Sequence, residues 1–450
     1  MSPARRLARE VLTRVRESSS YGHEVLSAAL QRARLSTDDA AFATRLAYGA
    51  LQTEGSLDEA IDRHTGGKRL EPRIRDALRV AAYEILFLHT EDRASVHQGV
   101  ELVKTVRPQA SGLANAILRR VAEDAPTFPW GDPDHDDAAL ARLHAHPRWL
   151  ADLWIAELGR DVAAAVMAAD NEPAPLFLAV NPFVATAEEA LACLKSDRAD
   201  PQPCARPGCL RADDTAAAVR GRALAEGLVF ATDAAAQFVA SLVGAKPGAT
   251  IVEIGAGRGT KTVLIQASAV TAGGPAQIFT VDLHEFKTRL LVQRLANYSV
   301  PGVHALTGDA TDLASVEGLP QAGSVDSVLI DAPCSGLGTL RRHPEKRWRV
   351  TPEEIADLAD LGAKLLAEAA RLVRPGGFVV YSTCTLANAE NGDVVSAFLA
   401  SEQGREFAVD SLRPEVPDEW TRFITAEGYF RSLPEPGGPD GHFAARLVHV

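Results

Sequence analysis

The chain has 450 residues, of which 46% are apolar and 24% charged, and its formal net charge is −12. This is an ordinary globular composition, long enough for two to four domains. Its five scattered cysteines (Cys193, Cys204, Cys209, Cys334 and Cys384) exclude a disulfide framework. The opening "MSPARRLAREVLTRVRESSS" lacks the apolar core of a secretory signal, and no run of about 18 apolar residues occurs. A cytoplasmic monomer without a membrane partner is expected. Cys204 and Cys209 have no second ligand pair spaced for zinc, so no metal is expected. The acidity speaks against nucleic acid only on average: residues 1–124 hold 19 Lys+Arg against 17 Asp+Glu. Between residues 341 and 350, five basic residues face Glu345 alone, and a polyanion meets such patches rather than the mean field.

Residues 1–125 read as an all-helical domain. "RRLAREVLTRV", "FATRLAYGALQ", "RIRDALRVAAYEILFL" and "VHQGVELVKTV" each repeat apolar residues at three- and four-residue spacing. The Pro-, Asp- and Gly-rich stretch over 126–144 is expected as a linker. A small α/β connector over 145–229 opens on the helical stretch "ARLHAHPRWLADLWIAEL", with a strand at "PLFLAV" and a helix at "AEEALACLK". From 230 to 450, "TIVEI", "QIFTVD", "VHALTG", "SVDSVLID" and "GFVVYST" alternate with helical segments, the rhythm of a doubly wound parallel sheet. "HFAARLVHV" is expected as a final edge strand.

"IVEIGAGRGTKT" places a glycine-rich turn between a strand and a helix, where Gly255, Gly257 and Gly259 allow close approach of a ligand. Asp282 ends a second strand, where a carboxylate accepts both ribose hydroxyls, and Asp309 follows a third, placed to meet an adenine amino group. Helix capping accounts for either aspartate taken singly. A nicotinamide cofactor also wants a ribose-binding acid, but the turn is not G-x-G-x-x-G. Acidic strand ends favour a ligand without phosphates, and S-adenosylmethionine, with its positive sulfonium, fits better. The expected cofactor set is Glu253, Gly255, Ala256, Gly257, Arg258, Gly259, Thr260, Lys261, Asp282, Asp309 and Asp331.

"DAPCSG" and "YSTCTL" end the fourth and fifth strands, on the rim where open α/β sheets bind ligands. One cysteine alone reads as a small buried hydrophobe. Two at strand ends, one beside Asp331, point to chemistry. Carbon 5 of cytosine is a poor nucleophile until a thiolate adds to carbon 6 and turns the ring into an enamine. An acid near ring nitrogen 3 helps that addition, and a second acid/base group helps expel the thiolate afterwards. Amino-group methylation, by contrast, shows Asn or Asp before Pro-Pro and an aromatic ring, which "DAPC" lacks.

"DAPCSGLGTLRRHPEKRW" and "YSTCTLANAEN", with "LRVAAYEILFL", "SGLANAILRR", "HPRWL" and "DGHFAARL", resemble the bacterial 16S ribosomal RNA cytosine-5 methyltransferases that carry a NusB-like N-terminal domain. The resemblance spans nearly the whole chain. It implies an all-α NusB-like RNA-binding domain, a small α/β connector and a Rossmann-like class I methyltransferase domain. It further implies that Cys384 is the nucleophile, that Cys334 helps release the product, that Asp331 holds the base, and that Lys261 is an active-site lysine. DNA cytosine-5 methyltransferases instead put the nucleophile in the Pro-Cys motif. The chain departs from the family at Arg258 and Thr260, where a Pro and a Gly are usual, and at His442, where Phe is common.

The substrate expected is an unpaired or flipped cytosine in 16S ribosomal RNA or a small-subunit assembly intermediate. Arg341, Arg342, His343, Lys346 and Arg347 are expected to hold RNA phosphates, with Trp348 as a stacking platform. Transfer RNA or another ribosomal site remains open as substrate, as does a non-catalytic RNA-binding assembly factor.

Overall fold

The computed structural model describes residues 2–18, 20–204 and 208–450. The chain divides into two compact units, one of Met1–Pro173 with Leu340–Val350 and one of Ala174–Thr339 with Thr351–Val450. Among the described residues no helix is long and apolar enough to cross a membrane.

The first unit is helical: Pro3–Ser18, Gly22–Arg32, Thr37–Gln52, Glu54–Asp62, Pro72–Leu86, Asp92–Lys104 and Ser111–Asp124 pack around one apolar core. Local chemistry starts these helices where the sequence asks for it. Ser36 accepts the Asp39 N–H ahead of Thr37–Gln52, with Asp38 and Asp39 in the first turn. The helix Pro72–Leu86 is buried along most of its length, and its interior charges are paired. Asp76 takes the Thr13 hydroxyl (2.9 Å) and Arg16 (3.0 Å), Arg79 meets Asp58 (2.8 Å), and Glu84 meets Arg5 (2.8 Å). Unpaired, each such charge carries a desolvation cost of several kcal/mol, on the order of the whole stability of a domain.

Residues 126–144, expected as a linker, contain the helix Asp137–Leu143, capped by Asp136. The helical stretch expected across "ARLHAHPRWLADLWIAEL" is two helices, because Pro147 sits just before Arg148–Leu158 and Ala145 adopts a φ of 53°. These and Arg160–Ala169 belong to the first unit, and the strands of the mixed region follow from Ala174 onward.

The run Leu340–Val350 also belongs to the first unit, where some of the residues expected at the RNA are turned inward. Arg347 is fully buried and donates to the carbonyls of Ala145 (3.1 Å) and Asp170 (3.2 Å) and to Asn171 Oδ1 (2.8 Å). The Trp348 indole N–H donates to the carbonyls of Leu51 (3.0 Å) and Gln52 (3.1 Å). A Cβ on Gly55 would lie 2.2 Å from that ring. Arg341 is buried too, and His343 packs against the rings of Tyr21 (4.9 Å) and His23 (5.2 Å). Arg347, expected as a phosphate clamp, is therefore spent inside the fold, while Trp348 is half-buried with its indole N–H already engaged. Arg342 and Lys346 are half-buried.

In the second unit, β1 (Leu176–Val180), β2 (Pro201–Pro203), β3 (Cys209–Ala212) and β4 (Val229–Ala231) form an antiparallel sheet in the order β2-β3-β1-β4. The helix Ala187–Ser196 starts with a capping box between Thr186 and Glu189. A larger sheet follows from β5 (Thr250–Ile254), β6 (Gln277–Asp282), β7 (Val303–Thr307), β8 (Val325–Asp331), β9 (Val373–Thr383), β10 (Phe407–Asp410), β11 (Phe430–Ser432) and β12 (His442–His449). Its order is β10-β12-β9-β8-β5-β6-β7, with β11 also on β12. β5 to β9 run parallel, and β12 is antiparallel to β9. The central strands β5 and β8 are buried along most of their length because helices cover both faces. β12, expected at the edge, lies inside the sheet, because the four-residue β10 pairs its outer side and is too short to show an alternating pattern.

Candidate active site

The parallel strands end on one rim. Ile254 is level with Val281 and Ile330, Asp282 with Thr307, and Asp331 with Ser382. The chain order reverses across β5, between β6 and β8, which is where such sheets form a ligand crevice. The turn after β5 opens on Gly255, whose N–H donates to the Val281 carbonyl (2.9 Å) and whose φ is 79°. A Cβ there would stand 2.4 Å from the Asp331 carbonyl oxygen, so only glycine lets the turn cross β8 this closely. Gly257 donates its N–H to Asp282 Oδ2 (3.2 Å), while Asp282 Oδ1 accepts from the His284 N–H (3.0 Å). Asp309 is exposed, held in a local turn by the Thr311 N–H (2.9 Å) and hydroxyl (2.7 Å), and those bonds lower its pKa. Ala256 is buried and Arg258 exposed, and Thr260 Oγ1 accepts from Arg294 (2.8 Å).

Two carboxylates and a lysine lie behind this turn. Glu253 is 1% exposed and accepts the Thr262 hydroxyl (2.6 Å) on one oxygen; its other oxygen has no partner among the described residues. Burial pushes its pKa up to about 7, against the pull of Thr262 and Lys261. Lys261 Nζ stands 2.7 Å from Asp331 Oδ2. Burial disfavours its charge, but the charge and hydrogen bond of Asp331 outweigh that, and its pKa rises.

The loops after β8 and β9 bring the two cysteines together. The sulfurs of Cys334 and Cys384 are 3.3 Å apart, and the Cys384 N–H donates to Cys334 Sγ (3.3 Å). Contact with Cys384, then burial, then the charge of Glu390 hold the Cys334 thiol well above its usual range. Gly338 donates its N–H to the Cys384 carbonyl (3.0 Å), and its own carbonyl accepts from Gly441 (2.8 Å). A Cβ on Gly338 would lie 2.1 Å from the Gly441 carbonyl oxygen, so the "DGHF" segment meets the Gly338 loop backbone to backbone.

Residues 240–448 match the family described as 16S rRNA methyltransferase RsmB/F, residues 2–123 the NusB family, and residues 146–216 the ferredoxin-like domain of RsmF/B-like methyltransferases. The protein named probable ribosomal RNA small subunit methyltransferase B of Synechocystis sp. is 31% identical, over 99% of this chain and 99% of its own. That named ribosomal RNA small subunit methyltransferase B of Thermus thermophilus is 32% identical, over 95% and 93%. The chain belongs to the RsmB/F methyltransferase family. The crystal structure of PH0851 shares the fold, with a TM-score of 0.81 at 23% identity over 99% of both chains. This RsmB/F chain thus has a NusB helical domain, a ferredoxin-like connector and a Rossmann-like methyltransferase domain with a mixed sheet.

Four further residues of this RsmB/F chain surround the cysteines without any motif of their own in the sequence. Ser335 donates its N–H (2.7 Å) and hydroxyl (2.6 Å) to Glu390, and its Oγ is 2.8 Å from Thr385 Oγ1. Asn391 accepts the Thr383 hydroxyl (2.5 Å) and donates to the Thr385 carbonyl (3.0 Å). The only signal was position: Ser335 and Thr385 each follow a cysteine, and "NAEN" follows the second one closely.

Proposed function

We propose that this chain methylates carbon 5 of a cytosine in 16S ribosomal RNA, using S-adenosylmethionine and a transient bond from Cys384 to carbon 6 of the base. The observation that carries the reading is the sulfur pair at 3.3 Å, with the Cys334 thiol held protonated. Cys334, kept as a thiol, can donate to the Cys384 sulfur, which suits Cys384 to act as the nucleophile and Cys334 as the neighbouring acid/base.

The rim fits a cationic ligand without phosphates. Asp282 lies beneath the glycine turn, and Asp309 and Asp331 follow on neighbouring strand ends. When bound, S-adenosylmethionine supplies an electrophilic methyl group. The turn from Gly255 to Lys261 would hold its methionine end, Asp282 the ribose and Asp309 the adenine. Lys261 and Asp331, paired at 2.7 Å, orient the base near ring nitrogen 3 and supply a proton as the Cys384 thiolate adds. Carbon 5 takes the methyl group as the sulfur–methyl bond breaks and S-adenosylhomocysteine is left. The carbon 5 proton then leaves to a solvent base, and the proton at ring nitrogen 3 returns to the Lys261–Asp331 pair. The electron pair then restores the ring double bond, and the bond to Cys384 breaks.

The test is a pair of variants. Cys384→Ala abolishes methylation and leaves cofactor binding intact; Cys334→Ser accumulates a denaturation-resistant protein–RNA adduct. Turnover by Cys384→Ala, or an adduct on Cys334→Ser that maps elsewhere than Cys384, overturns the reading. Bisulfite sequencing of ribosomal and transfer RNA from cells lacking the gene identifies the nucleotide.

A further inference from the structure

Glu390 carries none of the chemistry proposed above, yet it is 1% exposed and makes two of the shortest polar contacts around the cysteines. One oxygen accepts the Ser335 N–H at 2.7 Å and the other the Ser335 hydroxyl at 2.6 Å. Ser335 Oγ in turn meets Thr385 Oγ1 at 2.8 Å. Ser335 directly follows Cys334, and Thr385 directly follows Cys384. One carboxylate therefore grips the residue after each cysteine, across 55 positions of chain.

The carboxylate is itself fixed. Tyr381 donates its hydroxyl to the Glu390 carbonyl (2.8 Å), and the neighbouring Asn391 binds Thr383 and Thr385 on either side of Cys384. Nothing in a strand–loop–helix connection requires a buried acid here, and burying one is costly. We propose that Glu390 is a positioning residue for the two thiols: it locks the β8 and β9 loops in the register that sets the sulfurs 3.3 Å apart. The inference rests on the cysteine roles stated under the proposed function. Electrostatics acts in the same sense. The Glu390 charge disfavours a second thiolate at Cys334, so one position keeps its proton while the other reacts. A displacement of about 1 Å between reacting groups costs on the order of 100-fold in rate.

The experiment compares Glu390→Ala, Glu390→Gln and Ser335→Ala with Cys334→Ser in the full chain, using 16S RNA and S-adenosylmethionine. Glu390→Ala loses turnover by about 100-fold, keeps its KM for the cofactor within about threefold, and accumulates covalent adduct because Cys334 no longer meets Cys384. Glutamine accepts the Ser335 N–H and donates to its hydroxyl, so Glu390→Gln regains most of the rate. Ser335→Ala keeps one of the two contacts, slows release by about tenfold, and shows partial adduct. Wild-type turnover in Glu390→Ala, or rate and cofactor affinity lost together without adduct, overturns the proposal. If Glu390→Ala does not fold, Ser335→Ala decides: wild-type rate without adduct overturns it. An absence of adduct on Cys334→Ser itself would sink the cysteine assignment instead, so the two failures are told apart.

Discussion

Replacing Glu253 with Gln removes an ionisable group that the fold keeps in the wrong medium for its charge. The side chain is 1% exposed, with one oxygen bonded to Thr262 and the other without a partner among the described residues. Burial, the largest cause, lifts its pKa from the ordinary 4.5 to about 7. Below about pH 4.5 the acid is protonated whether the chain is folded or not. Between there and pH 7 the unfolded chain gives up the proton while the folded one retains it, so stability falls as pH rises. The displacement from 4.5 to about 7 corresponds to about 3 kcal/mol, most of it lost between pH 5 and pH 8. Gln keeps the shape and the Thr262 bond without this penalty. Relative to wild type, Glu253→Gln therefore gains about 2–3 kcal/mol between pH 5 and pH 8. Urea unfolding at the two pH values, read by pulse-labelling mass spectrometry on peptides from β5 and β8, isolates the second unit. A difference between the proteins that stays constant with pH refutes the reasoning.

Arg347→Met leaves the Ala145 and Asp170 carbonyls and the Asn171 amide without their donor inside the first unit. It lowers local stability by about 3 kcal/mol and speeds amide exchange across Leu340–Val350; unchanged exchange there contradicts the anchoring role. Gly255→Ala forces a Cβ to 2.4 Å from the Asp331 carbonyl at a φ of 79°. Titration calorimetry with S-adenosylmethionine should show affinity weaker by about tenfold or more with an unchanged circular dichroism spectrum, and equal affinity excludes the turn from the cofactor site.

Much of the site was legible because its chemistry is local in sequence. A glycine turn between strand and helix, an acid at a strand's end and a cysteine just past one are short patterns, and parallel sheets align such ends on one rim. Lys261 and Asp331, 70 positions apart, were each named before the 2.7 Å contact between them was visible. Glu390 was not, because a buried acid in "NAEN" looks like any polar residue of a connecting loop. What makes it matter is a hydroxyl and an amide 55 positions earlier.

The basic run shows the same boundary from the other side. Five Lys and Arg in ten residues read as a solvated patch for RNA, and charge density is all that the sequence displays there. Whether an arginine meets phosphate or carbonyl depends on which acceptors the fold brings to it. For Arg347 these are backbone and amide oxygens some 200 positions away, on helix ends whose carbonyls need donors. The amino-acid sequence by itself determined the parallel strands and which residues stand at their ends, the two cysteines among them, since periodicity and turn chemistry act over a few residues. Only the tertiary structure decided which charges are spent inside the protein, because pairing a buried charge is a contest among partners from the whole chain.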